Sequence, residues 1–553
     1  MIAAPSHLAI APILIPLFAG ALMLFFEERE RRLKLAISLI STVGLLAVAI
    51  TLLARVHLGS EPLAIVYLVG NWPAPIAINL VVDRLAAVML VLTAALALPA
   101  ILFALERWER VGPHFHSLFQ FLLMGLNGAF LTGDLFNLFV FFEVMLAASY
   151  GLVLHGGGPQ RVRSGLHYIA VNLVASLIFL IGIAMVFGAT GSLNLAEIAV
   201  RAETLQGFAQ PALYVGLALL GLVFLVKAGM WPLCLWLVPA YSAAAGPVAA
   251  VFAMLSKVGI YSLLRLALLL PGDGAAFGSV VIFIGGAATL AFASIGVLAS
   301  QSMKRASAYF ILMSSGTLLA AFGISVPGGT AGALFYLLSS TLTVSAFFML
   351  VELLEREQDI TAGVLGVTQE AYGEGDETEE DDPEVGRVMP GAVAVLGIGF
   401  GLLALNLIGL PPFSGFLAKL AILTGVLGPG TGDIGSSVGM RSVLAVLLLL
   451  SGLVALIALA RVGIRVFWAP VEPFMPKVTV METAPILLLL AMLIGVAVAA
   501  GALIHPVGAG AARAGPIINL MEATAAELHQ PGHYLNSVLG AERVPPFAER
   551  EDR

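Results

Sequence analysis

The sequence predicts an all-α polytopic membrane protein with about fourteen transmembrane helices. Composition is the first reason. The 553 residues are 60% hydrophobic and 11% charged, whereas a soluble domain keeps about a quarter of its residues charged. Run length is the second. Mean hydropathy is +1.02, and the apolar stretches reach or exceed the ~18 residues that mark a spanning helix. Continuity is the third, because barrel strands would alternate apolar and polar residues over about ten positions.

The apolar runs fall at approximately 4–26, 33–55, 79–104, 115–133, 135–155, 166–189, 212–244, 247–270, 277–299, 304–323, 329–354, 389–428, 440–468 and 484–505. The first lacks a positive leader and is too long for a signal-peptide core, so it reads as a retained helix. The seventh and twelfth runs are too long for one straight span. They contain Pro232 and Pro239, and Pro411 and Pro412. Proline removes a backbone donor and breaks the helical ladder. These two runs therefore read as interrupted helices, a common device at ion sites in transporters. Five spans separate them, an odd number, so related units built on them cross the membrane in opposite directions.

Loop charges give the orientation. Arg29, Arg31, Arg32 and Lys34 lie in the first connection. Arg107 with Arg110, Arg161 with Arg163, Lys304 with Arg305, and Lys477 lie in later alternate connections. Basic loops stay in the cytoplasm, which places both termini outside. Residues 355–388 hold twelve acids and two arginines, a charge of −10. Subtracting that from the chain's −7 leaves +3, so the acidity is local. The segment reads as a disordered cytoplasmic loop. The tail after about 506 is polar and reads as lying on or beyond the outer face.

Several function classes are excluded. The only cysteine, Cys234, makes no internal disulfide and cannot ligate an iron–sulfur cluster. Neither a GxGxxG after a strand nor a Walker sequence is present, so nothing marks a site for NADH, flavin or ATP. No cofactor and no metal site is expected. A pI near 5.7 gives no reason to expect nucleic acid. The energy source must be an ion gradient or a partner protein.

The informative residues are four charges inside apolar runs: Glu143, Lys227, Lys257 and Lys419. Ionisable groups in hydrocarbon are expensive, and they pair, face water, or carry ions and protons. Lys227 precedes Pro232 by five residues, and Lys419 follows Pro412 by seven. Lys257 lies about ten residues into its run, too deep to snorkel easily. Ser256, Tyr261 and Ser262 offer it hydroxyls within about one turn. At 4 Å and an effective dielectric near 20, an ammonium–carboxylate pair is worth ~4 kcal/mol, comparable with desolvating the ammonium. Making and breaking such a pair therefore moves a proton on and off. Glu143 is the expected partner of Lys227. A purely structural ion pair is the plainer alternative.

Other polar residues are weaker signals. Asp134 and Asn137 in TGDLFN suit either an ion entrance or a helix cap. Asp83 and Arg84 are expected at an interface. His114, His116 and His167 sit near helix ends, and Glu352 near a solvated one.

Three blocks resemble a known family. GAFLTGDLFNLFVFFEVMLAASYGLVLHGG (128–157) resembles the fifth-helix region of the D-type subunits of Mrp-type (Mnh/Pha) multisubunit cation/proton antiporters. VKAGMWPLCLWLVPAYSAAAGPVAAVFAMLSKVGIYSLLR (226–265) and GLPPFSGFLAK (409–419) resemble the broken seventh helix with the eighth, and the broken twelfth helix, of the wider antiporter-like family. That wider family includes the proton-pumping membrane subunits of complex I. The resemblance implies two inverted five-helix units. The chain then divides into 1–110 (helices 1–3), 111–272 (helices 4–8), 273–470 (helices 9–13, with the acidic loop) and 471–553 (helix 14 and tail).

By the same resemblance, Glu143, Lys227, Lys257 and Lys419 form a proton-translocation axis. The implied protein is a secondary transporter subunit in a bacterial inner membrane, not an enzyme. It exchanges cytoplasmic monovalent cation, Na⁺ before others, for external protons, with the remaining subunits of the complex as partners. The alternatives are a proton-pumping subunit of a complex I-like redox enzyme and a structural scaffold. Many relatives carry a histidine or lysine midway along the eleventh helix. Here the stretch has only hydroxyls, at Ser339, Ser340, Thr341 and Thr343, so a relay there needs water.

Overall fold

The computed structural model describes residues 6–59, 64–72, 78–269, 278–372, 391–428, 437–468, 478–501 and 515–541. Nearly all of this is helix. Chain order runs α1 (Ala11–Leu24), α2 (Arg31–Leu58), β1 (Ile65–Leu68), β2 (Asn79–Val82), α3 (Arg84–Ala104), α4 (Trp108–Val111), α5 (Phe115–Leu131) and α6 (Leu135–Leu154). It continues through α7 (Pro159–Thr190), α8 (Leu195–Ala202), α9 (Ala209–Ala228), α10 (Leu237–Ala243) and α11 (Gly246–Leu269). Then come α12 (Ser279–Ala299), α13 (Met303–Ile324), α14 (Pro327–Tyr372), α15 (Gly391–Ile408), α16 (Ser414–Leu427) and α17 (Ser437–Gly463). The last are α18 (Val480–Ala500), α19 (Pro516–His529) and α20 (Gly532–Leu539). Among the described residues, eleven helices are long and apolar enough to cross a membrane, and shorter apolar helices accompany them. The chain is a multi-pass helical membrane protein.

Short polar residues start several helices. Asp83 accepts from Ala86 N–H at 2.9 Å and caps α3. Asp134 caps α6 through Asn137 N–H at 2.9 Å. Asn194 caps α8, and Thr479 with Glu482 forms a capping box on α18. Each cap satisfies an orphan amide at a helix start.

The interior is built from α3, α11, α13 and α14, whose apolar stretches are mostly buried, while α2, α17 and α18 expose most of theirs. Small residues let the helices approach. A side chain at Gly286 would strike the backbone of Ala320, and one at Gly316 the backbone of Leu290, so α12 and α13 pack backbone to backbone.

Four features depart from the sequence reading. The third run begins with a strand rather than helix, because β2 pairs antiparallel with β1. The tail is not merely polar chain: α19 and α20 pack back onto the bundle, burying Ile518, Met521, Leu528 and Tyr534. The acidic segment 355–388 is not wholly loop, since α14 continues to Tyr372; residues 373–390 lie outside the described set. Glu352 is buried and pairs with Lys304 at 3.3 Å instead of facing solvent.

Candidate functional site

The two helix interruptions organise the site, and glycine rather than proline ends the first half of each. Gly229 (φ +75°) follows α9. Its N–H donates to Val226 O at 3.1 Å, and Met230 N–H donates to Leu225 O at 3.0 Å. Gly409 (φ +83°) follows α15, where Gly409 and Leu410 N–H both donate to Leu405 O, at 3.1 and 3.0 Å. Left-handed glycine caps of this kind recapture carbonyls at a helix end. Pro232 and Pro411–Pro412 lie beyond those caps and keep the chain from resuming the helix.

Backbone groups freed by the breaks find side-chain partners, as they must in a membrane interior. At the first break, Trp231 N–H donates to Thr289 Oγ1 at 2.8 Å, and Trp236 Nε1–H to Val226 O at 3.3 Å. At the second, Asn406 Oδ1 accepts from Gly415 N–H at the start of α16. Lys419 Nζ donates to Ile408 O at 2.8 Å, on the last residue of α15. A helix C-terminus carries partial negative charge and favours a cation. Lys227 occupies the equivalent end of α9, in its last turn.

Lys227 is buried, and its Nζ has no hydrogen-bond partner. The ammonium stands 4.9 Å above the Phe142 ring, an attraction that is stronger when desolvated. The expected pair with Glu143 is not a direct contact: Ser176 Oγ of α7 donates to Glu143 Oε1 instead. Glu143 is still close enough for its charge to act on Lys227. Gly259 of α11 packs on this break; a Cβ there would stand 2.7 Å from Ala228 N.

Lys257, 1% exposed, donates to Ser314 Oγ of α13 at 2.8 Å. The hydroxyls expected for it on its own helix are otherwise placed. Ser256 donates to Ala253 O, Tyr261 to Phe130 O, and Ser262 Oγ has no partner. From Ser314 the connection passes to Ser340 Oγ of α14 at 2.9 Å. Ser339 Oγ lies 2.8 Å from Ser414 Oγ, Ser414 donates to Asn406 Oδ1 at 3.3 Å, and Asn406 Nδ2–H donates to Thr343 Oγ1 at 3.0 Å.

Between these two sets lies a cavity of about 20 Å³ lined by Ser314, Ser339, Ser340, Thr343 and Asn406, among others. A water needs roughly 10–15 Å³ on this measure and two to four polar partners, so one water fits. Ser314, Ser414 and Asn406 belong to the site although they stood in no recognisable motif; small polar residues in apolar runs were the only signal.

Asp134 and Asn137 sit together at the start of α6, where Asn137 Nδ2–H donates to Thr132 Oγ1 at 2.9 Å. Burial raises the Asp134 carboxyl above its ordinary value. The structure gives both residues a capping role. At the opposite end of the bundle, a cavity of about 680 Å³ is lined by Arg161, Lys304, Arg305 and Glu355. Lys304 bridges Glu352 and Glu355 there, at 3.3 and 3.9 Å.

Residues 132–445 match the family described as "NADH:quinone oxidoreductase/Mrp antiporter, TM". A protein of Rhizobium meliloti (strain 1021), named as the probable D subunit of a K(+)/H(+) antiporter, is 51% identical, covering 98% of both chains. The D subunit of the Na(+)/H(+) antiporter of Alkalihalophilus pseudofirmus is 32% identical, covering 84% of this chain and 87% of its own. Among solved structures, a chain of the Mrp complex from Dietzia sp. DQ12-45-1b superposes with a TM-score of 0.78 at 25% identity, over 97% of this chain and 99% of that one. Interrupted helices with lysines at their ends, a buried polar chain between them, and these full-length likenesses agree: the chain belongs to the NADH:quinone oxidoreductase/Mrp antiporter transmembrane family.

Proposed function

We propose that the chain is the proton-translocating subunit of a multisubunit monovalent cation/proton antiporter in a bacterial inner membrane. Both termini then lie outside and the arginine-rich connections inside. The half-helix pairs α9–α10 and α15–α16 each count as one of fourteen spans, arranged as inverted units of helices 4–8 and 9–13. The remaining subunits of the complex are its partners, as the source complex of the Dietzia chain suggests.

One observation carries the reading. The buried Lys257 ammonium is hydrogen-bonded through Ser314 to Ser340, at a chamber whose far wall is Asn406, beside the break that holds Lys419. A fully buried cation with a polar exit in one direction is expensive as a structural device. It is the arrangement a proton carrier needs. One water in the chamber completes the path that the hydroxyls of α14 leave open. Protons then enter from outside, pass Glu143, Lys227, Lys257 and Lys419, and drive cation out of the cytoplasm. The cavity around Arg161 and Lys304 is the inner vestibule of this path. Asp134 and Asn137 flank its outer entrance.

The cation is monovalent. The sequence put Na⁺ first, but the relative that is 51% identical is named for K⁺, and that identity favours K⁺. Everted vesicles carrying the whole complex test both points. Glu143→Ala and Lys227→Ala should each abolish cation-driven proton efflux while the complex assembles normally. Full antiport by either assembled variant would overturn the axis, and antiport with NaCl but not KCl would overturn K⁺.

A further inference from the structure

A second group of buried charges lies at the end of the bundle opposite the arginine-rich connections, and the axis does not use it. Asp83 at the start of α3 binds Arg265 of α11 through both carboxylate oxygens, with the Nη2 contact at 2.9 Å. Arg265 also donates to Tyr261 OH at 2.8 Å, and its guanidinium lies 5.3 Å from the Tyr534 ring of α20. Arg84, next to Asp83, donates to Glu527 of α19 at 3.1 Å. The Asp83, Arg265 and Glu527 side chains are 3%, 9% and 7% exposed. The tail is thus fastened to the outer ends of α3 and α11 by charges held away from water.

The two acids are not equivalent. Asp83 is held twice by Arg265 and also caps α3, so its negative charge is fully used. Glu527 has one contact, to Arg84, and faces the Asp83 charge. The other groups around it are Arg265 and Tyr261 on α11, Tyr534 on α20, His57 on α2 near Arg84, and His529 on its own helix, which bonds Thr330 of α14 at 3.0 Å. Buried ion pairs add little net stability, and their best-attested use is as a register or a switch.

We propose that Glu527 is a proton-binding site on the outer face, and that losing its proton unfastens the α19–α20 clasp from α3 and α11. Burial, then the neighbouring Asp83 charge, pushes the docked carboxyl up to about 7, from 4.5 when free. A carboxyl that holds its proton more tightly when docked stabilises docking in its protonated form. That extra stabilisation is complete below pH 4.5 and is lost as pH rises through about 7. The clasp is therefore tight in acid surroundings and loosens as they turn alkaline. Its anchor Arg265 lies two turns from Lys257 on α11, but the clasp itself does not depend on the proton path.

Hydrogen exchange of residues 516–540 in the purified whole complex tests this, with intrinsic exchange rates corrected for pH. Protection should fall about tenfold between about pH 6 and about pH 8.5. Glu527→Gln should be protected equally at both, and His529→Gln should behave as the unaltered chain does. Equal protection of the unaltered complex at both pH values overturns the proposal without reference to any variant. So does a pH step that survives Glu527→Gln or disappears with His529→Gln.

Discussion

Lys257 carries the sharpest single-residue expectation. Its ammonium is fully buried and its one hydrogen bond goes to Ser314. Replacing a buried charge with an apolar chain of similar volume is often neutral or stabilising by about 1–4 kcal/mol, and Ser314 keeps Ser340 as a partner. Lys257→Met should therefore leave the thermal midpoint unchanged or raised, while antiport in vesicles falls at least tenfold. A variant that lost stability and activity together would mark the lysine as structural. Asn406 makes the opposite case. Asn406→Leu strips partners from Gly415 N–H, Thr343 and Ser414. Each buried polar group left unsatisfied costs about 1–3 kcal/mol, so both the midpoint and antiport should drop.

At the scale of elements, the interruptions turn on glycine. Gly409 holds a left-handed conformation, and a Cβ there would stand 2.9 Å from Lys419 Cδ. Gly409→Ala should cost about 1–2 kcal/mol in backbone strain and displace the Lys419 ammonium from Ile408 O. Antiport should fall further than in Pro412→Ala, because α15 already ends before the prolines. Paired activity and unfolding measurements on the two variants would show the order. The prolines were legible in the sequence as breaks, and so were the lysines beside them. The caps were not, because a glycine among many in apolar runs gives no sign of which one adopts positive φ. Ser314 was hidden for a related reason: Lys257 lies opposite a residue 57 positions away, whereas the hydroxyls within its own turn face elsewhere.

At the scale of the whole molecule, contacts distant in sequence tie the outer end of the bundle together. Asp83→Ala should cost about 3–5 kcal/mol, because it leaves the Arg265 guanidinium buried and unpaired. Asp83→Ala combined with Arg265→Met should recover part of that loss in thermal unfolding of the purified complex. Recovery would show that the penalty comes from the orphaned charge rather than from the missing cap on α3.

The sequence by itself determined the helical membrane class, the approximate spans, the two interruptions and the four charges that hydrocarbon should exclude. Those properties are set by residue type and spacing along one helix, since bilayer thickness and backbone hydrogen bonding act locally. Tertiary structure alone decided who faces whom. It put Phe142 and Ser176, not a direct salt bridge, between Lys227 and Glu143. It brought Arg265 to Asp83 across 182 residues and Glu527 to Arg84 across 443. An apolar run records that a position is buried but not which helix covers it, and that pairing is fixed only when the helices pack.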